Sequence, residues 1–315
     1  MCDVEPVPAS EADAVFGSED VDSLEPLRPR PLGATVGVWR ARLGDDSAVL
    51  KLLRLDASPN PNWVASSDPK HPRWWRRELT VLQDGVVERL QPELRPPRLL
   101  HTAEREDGSL AVWLEDLGAP ANWTVEHIAE VARLLGRAQA RVAQEHLPGD
   151  LPRGFVHAYL EPRKQHLAEP FASLRERLLS RLDAAPQTLC HFDLHPANVF
   201  PSRFGTVVID WAYCGVGPLG SDPGVLASDA IADEVIAPHD AGQLVDAVWE
   251  AYRDGLGDDD LAAAAEQVYA VGTALRYSWL QAWLEGTYGP QMTETRRPFV
   301  AAARGAFLER ALTFL

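Results

Sequence analysis

The residues best suited to act together in this 315-residue chain lie in one stretch, His191-Phe192-Asp193-Leu194-His195-Pro196-Ala197-Asn198. Ile209-Asp210-Trp211 follows, with Asp210 twelve positions beyond Asn198 at the end of a Val-Val-Ile run. Asp210 and Asn198 offer hard oxygen donors of the kind Mg²⁺ takes, and Asp193 stands beside them to accept a proton from a hydroxyl. These are the parts needed for phosphoryl transfer, in which catalysis is mostly positioning and charge neutralisation. Taken singly, Asp193 is an ordinary turn or cap residue and Asn198 a loop former. Their joint spacing with a carboxylate at a strand end selects the catalytic reading.

The flanking elements must hold this loop. Residues 1–25 form an acidic lead-in, with a short helix expected over Glu11–Phe16 capped by the Ser10 hydroxyl, and the rest at the surface. From Leu27 three short runs rich in Val, Leu and Trp are separated by Gly33, Gly37 and Gly44-Asp45-Asp46, which reads as an antiparallel meander. Helical spacing in Trp75, Leu79 and Leu82 predicts a helix ending near Gly85, and PPRLLHTAE and SLAVWLEDL complete a sheet of about five strands. Thr124 reads as the N-cap of a helix running to Gln144, a second helix is expected over Lys164–Leu182, and TLCHF and GTVVIDW bracket the catalytic stretch. Beyond Asp222, itself read as a helix cap, the chain is helical apart from loops.

The constellation resembles the aminoglycoside phosphotransferase and choline kinase family of small-molecule kinases, whose motif reads near His-Gly-Asp-Leu-His-Pro-Gly-Asn and then Ile-Asp-Trp or Ile-Asp-Phe. The match holds at His191, Asp193, Leu194, His195, Pro196, Asn198, Ile209, Asp210 and Trp211. It departs at Phe192 and Ala197, where glycines are usual. The bulk of Phe192 raises the expectation of an altered backbone or substrate entrance.

The resemblance implies an α+β, bilobal, protein-kinase-like fold, with a small antiparallel N-lobe carrying one helix and a larger helical C-lobe. Its expected divisions are the lead-in at 1–25, a nucleotide-binding N-lobe at 26–114, a hinge at 115–121 and the C-lobe at 122–315. It implies that Lys51 contacts nucleotide phosphates and that Glu78 orients it. Gly33 and Thr35 lie in a phosphate-covering turn, for which a plain hairpin is the alternative. Around Glu115, main-chain groups meet the adenine edge. Asp193 is the implied base, Asn198 and Asp210 the Mg²⁺ ligands, and His191 and Trp211 the supports. The implied cofactors are ATP or GTP and Mg²⁺.

The formal net charge is −16, and no Lys/Arg run offsets it, which argues against nucleic acid as a partner. Carboxylates lining a cleft would attract a cationic small molecule; on a solvated face they serve solubility. No apolar stretch has the length of a membrane span, and the acidic opening does not resemble a signal peptide, so a cytoplasmic protein is expected. The oligomeric state stays open. Cys2, Cys190 and Cys214 form neither a disulfide framework nor a zinc pattern.

In the resembled family the pocket is built by C-terminal helices. The candidates here are Asp229, Asp233, Glu234, Trp279 and Trp283, with Trp249, Tyr252, Glu250 and Glu285 as further members of a cation- or sugar-binding wall. Core packing is the plainer account of the aromatics. The leading reading is a phosphotransferase for a hydroxyl of a small, amine-bearing molecule such as an aminoglycoside, amino sugar or choline-like compound. The alternatives are a non-amine sugar, homoserine or peptide Ser/Thr acceptor, or a catalytically silent binding protein of kinase shape.

Overall fold

The computed structural model describes residues 7–28, 32–58, 64–119, 121–202, 205–289 and 292–315. It divides into two compact units, one reaching Val86 and resuming over Pro96–Ala119, the other comprising Val87–Arg95 and Pro120–Leu315. In chain order the elements up to Ala119 are α1 (Ala9–Phe16), β1 (Ser23–Arg28), β2 (Thr35–Leu43), β3 (Asp46–Leu53), α2 (Arg77–Gln83), β4 (Leu94–Arg95), β5 (Leu99–Glu104) and β6 (Leu110–Glu115). Then come α3 (Val125–Val142), α4 (Phe155–Leu160), α5 (Phe171–Ala184), β7 (Gln187–Cys190), β8 (Val199–Ser202), β9 (Gly205–Val208) and β10 (Gly215–Pro218). The chain closes with α6 (Ser221–Ala232), α7 (Ala241–Leu256), α8 (Asp259–Gln267), α9 (Thr273–Tyr277), α10 (Leu280–Leu284) and α11 (Arg297–Leu312).

The first unit is built on an antiparallel sheet in the order β1-β2-β3-β6-β5, the five strands expected. Strand β2 alternates as a half-buried strand must, with Thr35, Gly37, Trp39 and Ala41 inward. β6 is buried on both faces apart from Glu115, which suits its place between β3 and β5. The first strand begins at Ser23, ahead of the expected Leu27, and residues 29–31 lie outside the described residues.

The lead-in is not merely a surface segment. α1 begins after Pro8, so Ser10 lies inside the first turn and caps nothing. Glu11 is 2% exposed and accepts both prongs of the Arg105 guanidinium (2.8 and 2.9 Å) and the Trp113 indole N–H (2.9 Å). Phe16 meets Trp113 edge-on. A carboxylate beside an apolar run reads as solvated from its neighbours alone, because the groups that neutralise it lie about a hundred residues away.

The second unit is mainly helical. Thr124 caps α3 by accepting the His127 N–H at 3.3 Å. The helix expected over Lys164–Leu182 is instead a 3₁₀ turn at Glu161–His166 followed by α5, which starts directly after Pro170. Proline cannot donate within a helix but suits its first turn, so the break falls there. TLCHF and GTVVIDW do not pair with each other: β7 pairs with β10, whereas β9 lies between β8 and β4. α3 and α7 cross closely at two glycines, since a Cβ on Gly136 would run into the Tyr252 carbonyl and one on Gly255 into the Arg133 carbonyl. Among the described residues, no helix is long and apolar enough to cross a membrane.

Replacing Glu11 with Ala strands a part-buried guanidinium and a buried indole N–H, with an expected cost of about 3 kcal/mol. The measurement is the urea midpoint at unchanged slope. A loss below about 0.5 kcal/mol would show that α1 contributes nothing to the unit it packs on.

Candidate active site

The catalytic stretch is knitted together by its own backbone. After β7 ends at Cys190, the chain passes through Asp193 into a 3₁₀ turn at Pro196–Asn198 and returns along β8. The Asn198 carboxamide nitrogen donates to the Asp193 carbonyl (3.0 Å), its backbone N–H donates to the His195 carbonyl (2.8 Å), and its carbonyl accepts the Ile209 N–H (2.9 Å). Asp193, Asn198 and the residue preceding Asp210 therefore share one hydrogen-bonded turn. Asp210 follows in the left-handed conformation (φ 62°, ψ 56°).

The His191 Nδ1 accepts the Asp193 N–H (3.2 Å), which leaves Nε2 to donate to the Ile209 carbonyl (2.9 Å). Its ring lies against Trp211, whose indole N–H donates to the Val208 carbonyl at 2.7 Å. His191 thus braces both ends of the loop.

Asp222 is not a helix cap. It lies buried in the first turn of α6 and accepts the backbone N–H groups of His191 and Phe192, both at 2.8 Å. Gln139 of α3, fully buried, donates to the same carboxylate (3.0 Å) and to the Leu189 carbonyl (3.0 Å), and accepts the Tyr252 hydroxyl (2.7 Å). Burial pushes the Asp222 carboxyl up to about 6, against the pull of the two backbone N–H groups, so it is charged at neutral pH. Sequence reading missed this network. A glutamine in mid-helix and an aspartate at a helix start carry no signal of each other.

Phe192 stands where the family motif has glycine, and its backbone keeps a glycine-like conformation (φ 64°). That costs roughly 1–2 kcal/mol for a residue with a Cβ. The ring is 1% exposed, stacks on Phe155 (4.6 Å, 18°) and covers Gly217, where a Cβ would collide with it. Burial of a Phe side chain contributes about 2–3 kcal/mol and offsets the strain. The ring points into the core, against Phe155 and Gly217.

Of the candidate substrate residues, Asp229 is half-buried and accepts the Tyr277 hydroxyl at 2.8 Å. Burial lifts its carboxyl to about 6, opposed by the Arg276 charge and reinforced by Asp233. His195 stands between two carboxylates, with Nε2 4.0 Å from Asp193 Oδ2 and Nδ1 4.0 Å from Asp233 Oδ2. Asp233 also pairs with Arg296. Glu234, Glu250 and Glu285 are exposed. Trp279 and Trp283 stack at 6.1 Å, and each carries a guanidinium over one face, from Arg163 and Arg296 respectively. Trp249 and Tyr252 are core residues and line no wall. Cys190 and Cys214 are buried, and burial pushes the Cys190 thiol well up. Cys2 lies outside the described residues.

In the first unit Lys51, on β3, and Glu78, on α2, form a buried ion pair at 2.5 Å. Trp74 and Trp75, half-buried just before that helix, carry Arg77 and Arg76 over their respective faces. Leu32 and Thr35 exchange two backbone bonds (3.0 Å each) around Gly33, whose φ is 60°, and the Thr35 side chain is buried. Gly37 is required by packing, because a Cβ there would strike the Trp39 indole. The Glu115 N–H is engaged by the Arg98 carbonyl (3.0 Å). The next residue, Asp116, pairs with Arg40 at 2.6 Å, and Arg40 also donates to the Gly118 carbonyl (3.1 Å). These contacts of Arg40 carry no sequence signal. Pro120, within the expected hinge, lies outside the described residues.

The donor set fits Mg²⁺ in one respect: a carboxamide oxygen and a carboxylate are hard ligands, and this ion commonly takes few protein ligands, completing its shell with phosphate and water. Among the described residues, no group of three or more His, Cys, Asp and Glu side chains gathers as a closed metal cage.

The fold is protein-kinase-like. The chain is similar to a microcompartment-associated aminopropanol kinase (19% identity, 97% of each chain, TM-score 0.60). It is also similar to the amicoumacin kinase hAmiN in complex with AMP-PNP, Ca²⁺ and Ami (13%, 96% of this chain and 92% of that one, 0.61). A third similar structure is the choline kinase LicA from Streptococcus pneumoniae (13%, 96% and 97%, 0.53). The model of the phosphotransferase enzyme family matches residues 27–266, and the chain belongs to that family. That family is one of phosphotransferase enzymes. No curated protein sequence matches it significantly.

Asp222→Ala leaves two loop N–H groups and Gln139 without their acceptor. The expected loss is about 3 kcal/mol of stability, with faster amide exchange at His191 and Phe192. Unchanged protection at those two amides would remove Asp222 from its anchoring role.

Proposed function

We propose that this phosphotransferase moves the terminal phosphate of ATP to a hydroxyl of a small, amine-bearing molecule. The observation that carries the reading is the hydrogen-bonded turn joining Asp193, Asn198 and the strand leading to Asp210. Asp193 orients the acceptor hydroxyl and takes its proton as the new O–P bond forms and the bond to the departing ADP breaks. Lys51, held by Glu78, grips the nucleotide phosphates. Asn198 and Asp210 hold Mg²⁺, which neutralises charge on the phosphates when bound. Nucleotide use is supported by the similar amicoumacin kinase, whose structure contains AMP-PNP.

The amine preference rests on Asp229 and Asp233. Asp233 lies 4.0 Å from His195, which lies the same distance from Asp193, and Asp229 interacts electrostatically with both Asp233 and His195. A hydroxyl at Asp193 would therefore be accompanied by negative charge that suits an ammonium group. The aminopropanol, amicoumacin and choline kinases among the similar structures are in keeping with this class.

Nucleotide turnover with a panel of aminoglycosides, amino sugars, choline and amino alcohols tests the reading. Asp193→Ala is expected to lower kcat on the best acceptor by at least about 10²-fold, and equal rates for variant and wild type would refute the assignment. Lys51→Met is expected to raise KM for ATP and lower kcat together.

The Asp229 carboxyl, pushed up to about 6, gains a proton as pH falls and loses its attraction for a cation. For an amine acceptor, kcat/KM should fall about tenfold between pH 7 and pH 5 through this group. Asp229→Asn should lower the neutral-pH value and flatten that limb. An unaltered acid limb in the variant would exclude Asp229 from binding the amine.

A further inference from the structure

Arg276, on α9, is 7% exposed. Its guanidinium sits over three rings, Tyr159 at 4.8 Å, Phe155 at 5.4 Å and Tyr277 at 5.5 Å. Two of these rings locate it. Phe155 stacks on Phe192, the residue preceding Asp193, and Tyr277 donates its hydroxyl to Asp229. The charges of Asp229 and Asp193 both act on the Arg276 guanidinium, which places it near the proposed base and the carboxylate proposed for the amine. It belongs to one helical run in which a π turn at Val268–Gly272 joins α8 to α9, a local departure that often marks a functional site.

One donor of this guanidinium lacks an acceptor. Its Nε is buried with no hydrogen-bond partner among the described residues. Asp229 and Asp193 attract it across space. Ring faces offset part of the cost of burying the charge, but they satisfy none of its directed N–H donors. A planar oxyanion matches a guanidinium fork with two parallel charge-assisted bonds.

We propose that Arg276 binds an oxyanion carried by the phosphate acceptor itself, so that the acceptor is a hydroxylated amine bearing a carboxylate or similar acidic group. This rests on the reading of Asp193 and Asp229 given above. The acceptor is then held at three points: hydroxyl at Asp193, ammonium at Asp229 and oxyanion at Arg276. Three fixed points define the orientation of a small flexible molecule, whereas one ion pair leaves it free to rotate.

The test uses acceptors that differ by a single carboxylate: homoserine against 3-amino-1-propanol, threonine against 1-amino-2-propanol, and serine against ethanolamine. Each is measured on the full chain with Mg²⁺, as equilibrium binding in the presence of AMP-PNP and as kcat/KM with ATP. In at least one pair the carboxylated member should bind about 10- to 100-fold more tightly to wild type. Arg276→Met should erase that ratio by weakening only the carboxylated member, and Arg276→Lys should retain part of it, with thermal melting confirming that both variants fold.

The proposal is overturned if in no pair does wild type bind the carboxylated member more tightly. It is also overturned if the variants weaken both members equally, as they would if Arg276 served packing or the transferring phosphate. Should the variants fail to fold, the wild-type ratios decide alone. The parent reading fails differently, by the absence of Asp193-dependent transfer to any acceptor while the binding ratios persist.

Discussion

The second unit depends on one buried carboxylate. Asp222 accepts the successive N–H groups of His191 and Phe192, which point inward because the chain reverses there and have no sheet or helix partner. Without an acceptor those donors would be buried and unsatisfied, and the loop would open to water. The carboxylate is itself paid for by further bonds, from Gln139 to Asp222 and from Tyr252 to Gln139, which bring α3, α6 and α7 into one polar chain. The glycines at the α3–α7 crossing permit the approach that makes this chain continuous.

Two residues near the loop carry backbone strain, Phe192 and Asp210, both with positive φ. For Phe192 the compensation is visible in its stacking on Phe155 and its cover of Gly217. A residue type that is poor for the local backbone is retained because the tertiary core needs its ring. The same stack continues to the guanidinium of Arg276. Support for the base and the guanidinium with one unmet donor are therefore parts of one packed cluster.

The formal charge of −16 is a weaker guide to substrate than its size suggests. Glu234, Glu250 and Glu285 face solvent, and Asp233 is shared with Arg296. Asp229, half-buried and hydrogen-bonded to Tyr277, is the carboxylate whose environment differs most from that of a surface acid. A buried arginine beside it gives the site two signs of charge, where net composition predicts one.

Sequence alone determined the pieces whose signal is local. The Asp193–Asn198 spacing, the lysine strand and the Thr124 cap all show within a few residues, because a turn, a strand and a cap are themselves short-range. The break before α5 is equally local, at Pro170. Tertiary structure decided which strands pair, that α1 is stitched to Trp113 and Arg105, that Asp222 anchors a loop thirty residues earlier, and that Arg276 meets rings with one donor left without an acceptor. Each of these is a polar group or a short strand whose partner is remote in the chain, and burial alone gives such a pairing its energetic weight, by removing the water that would otherwise satisfy it.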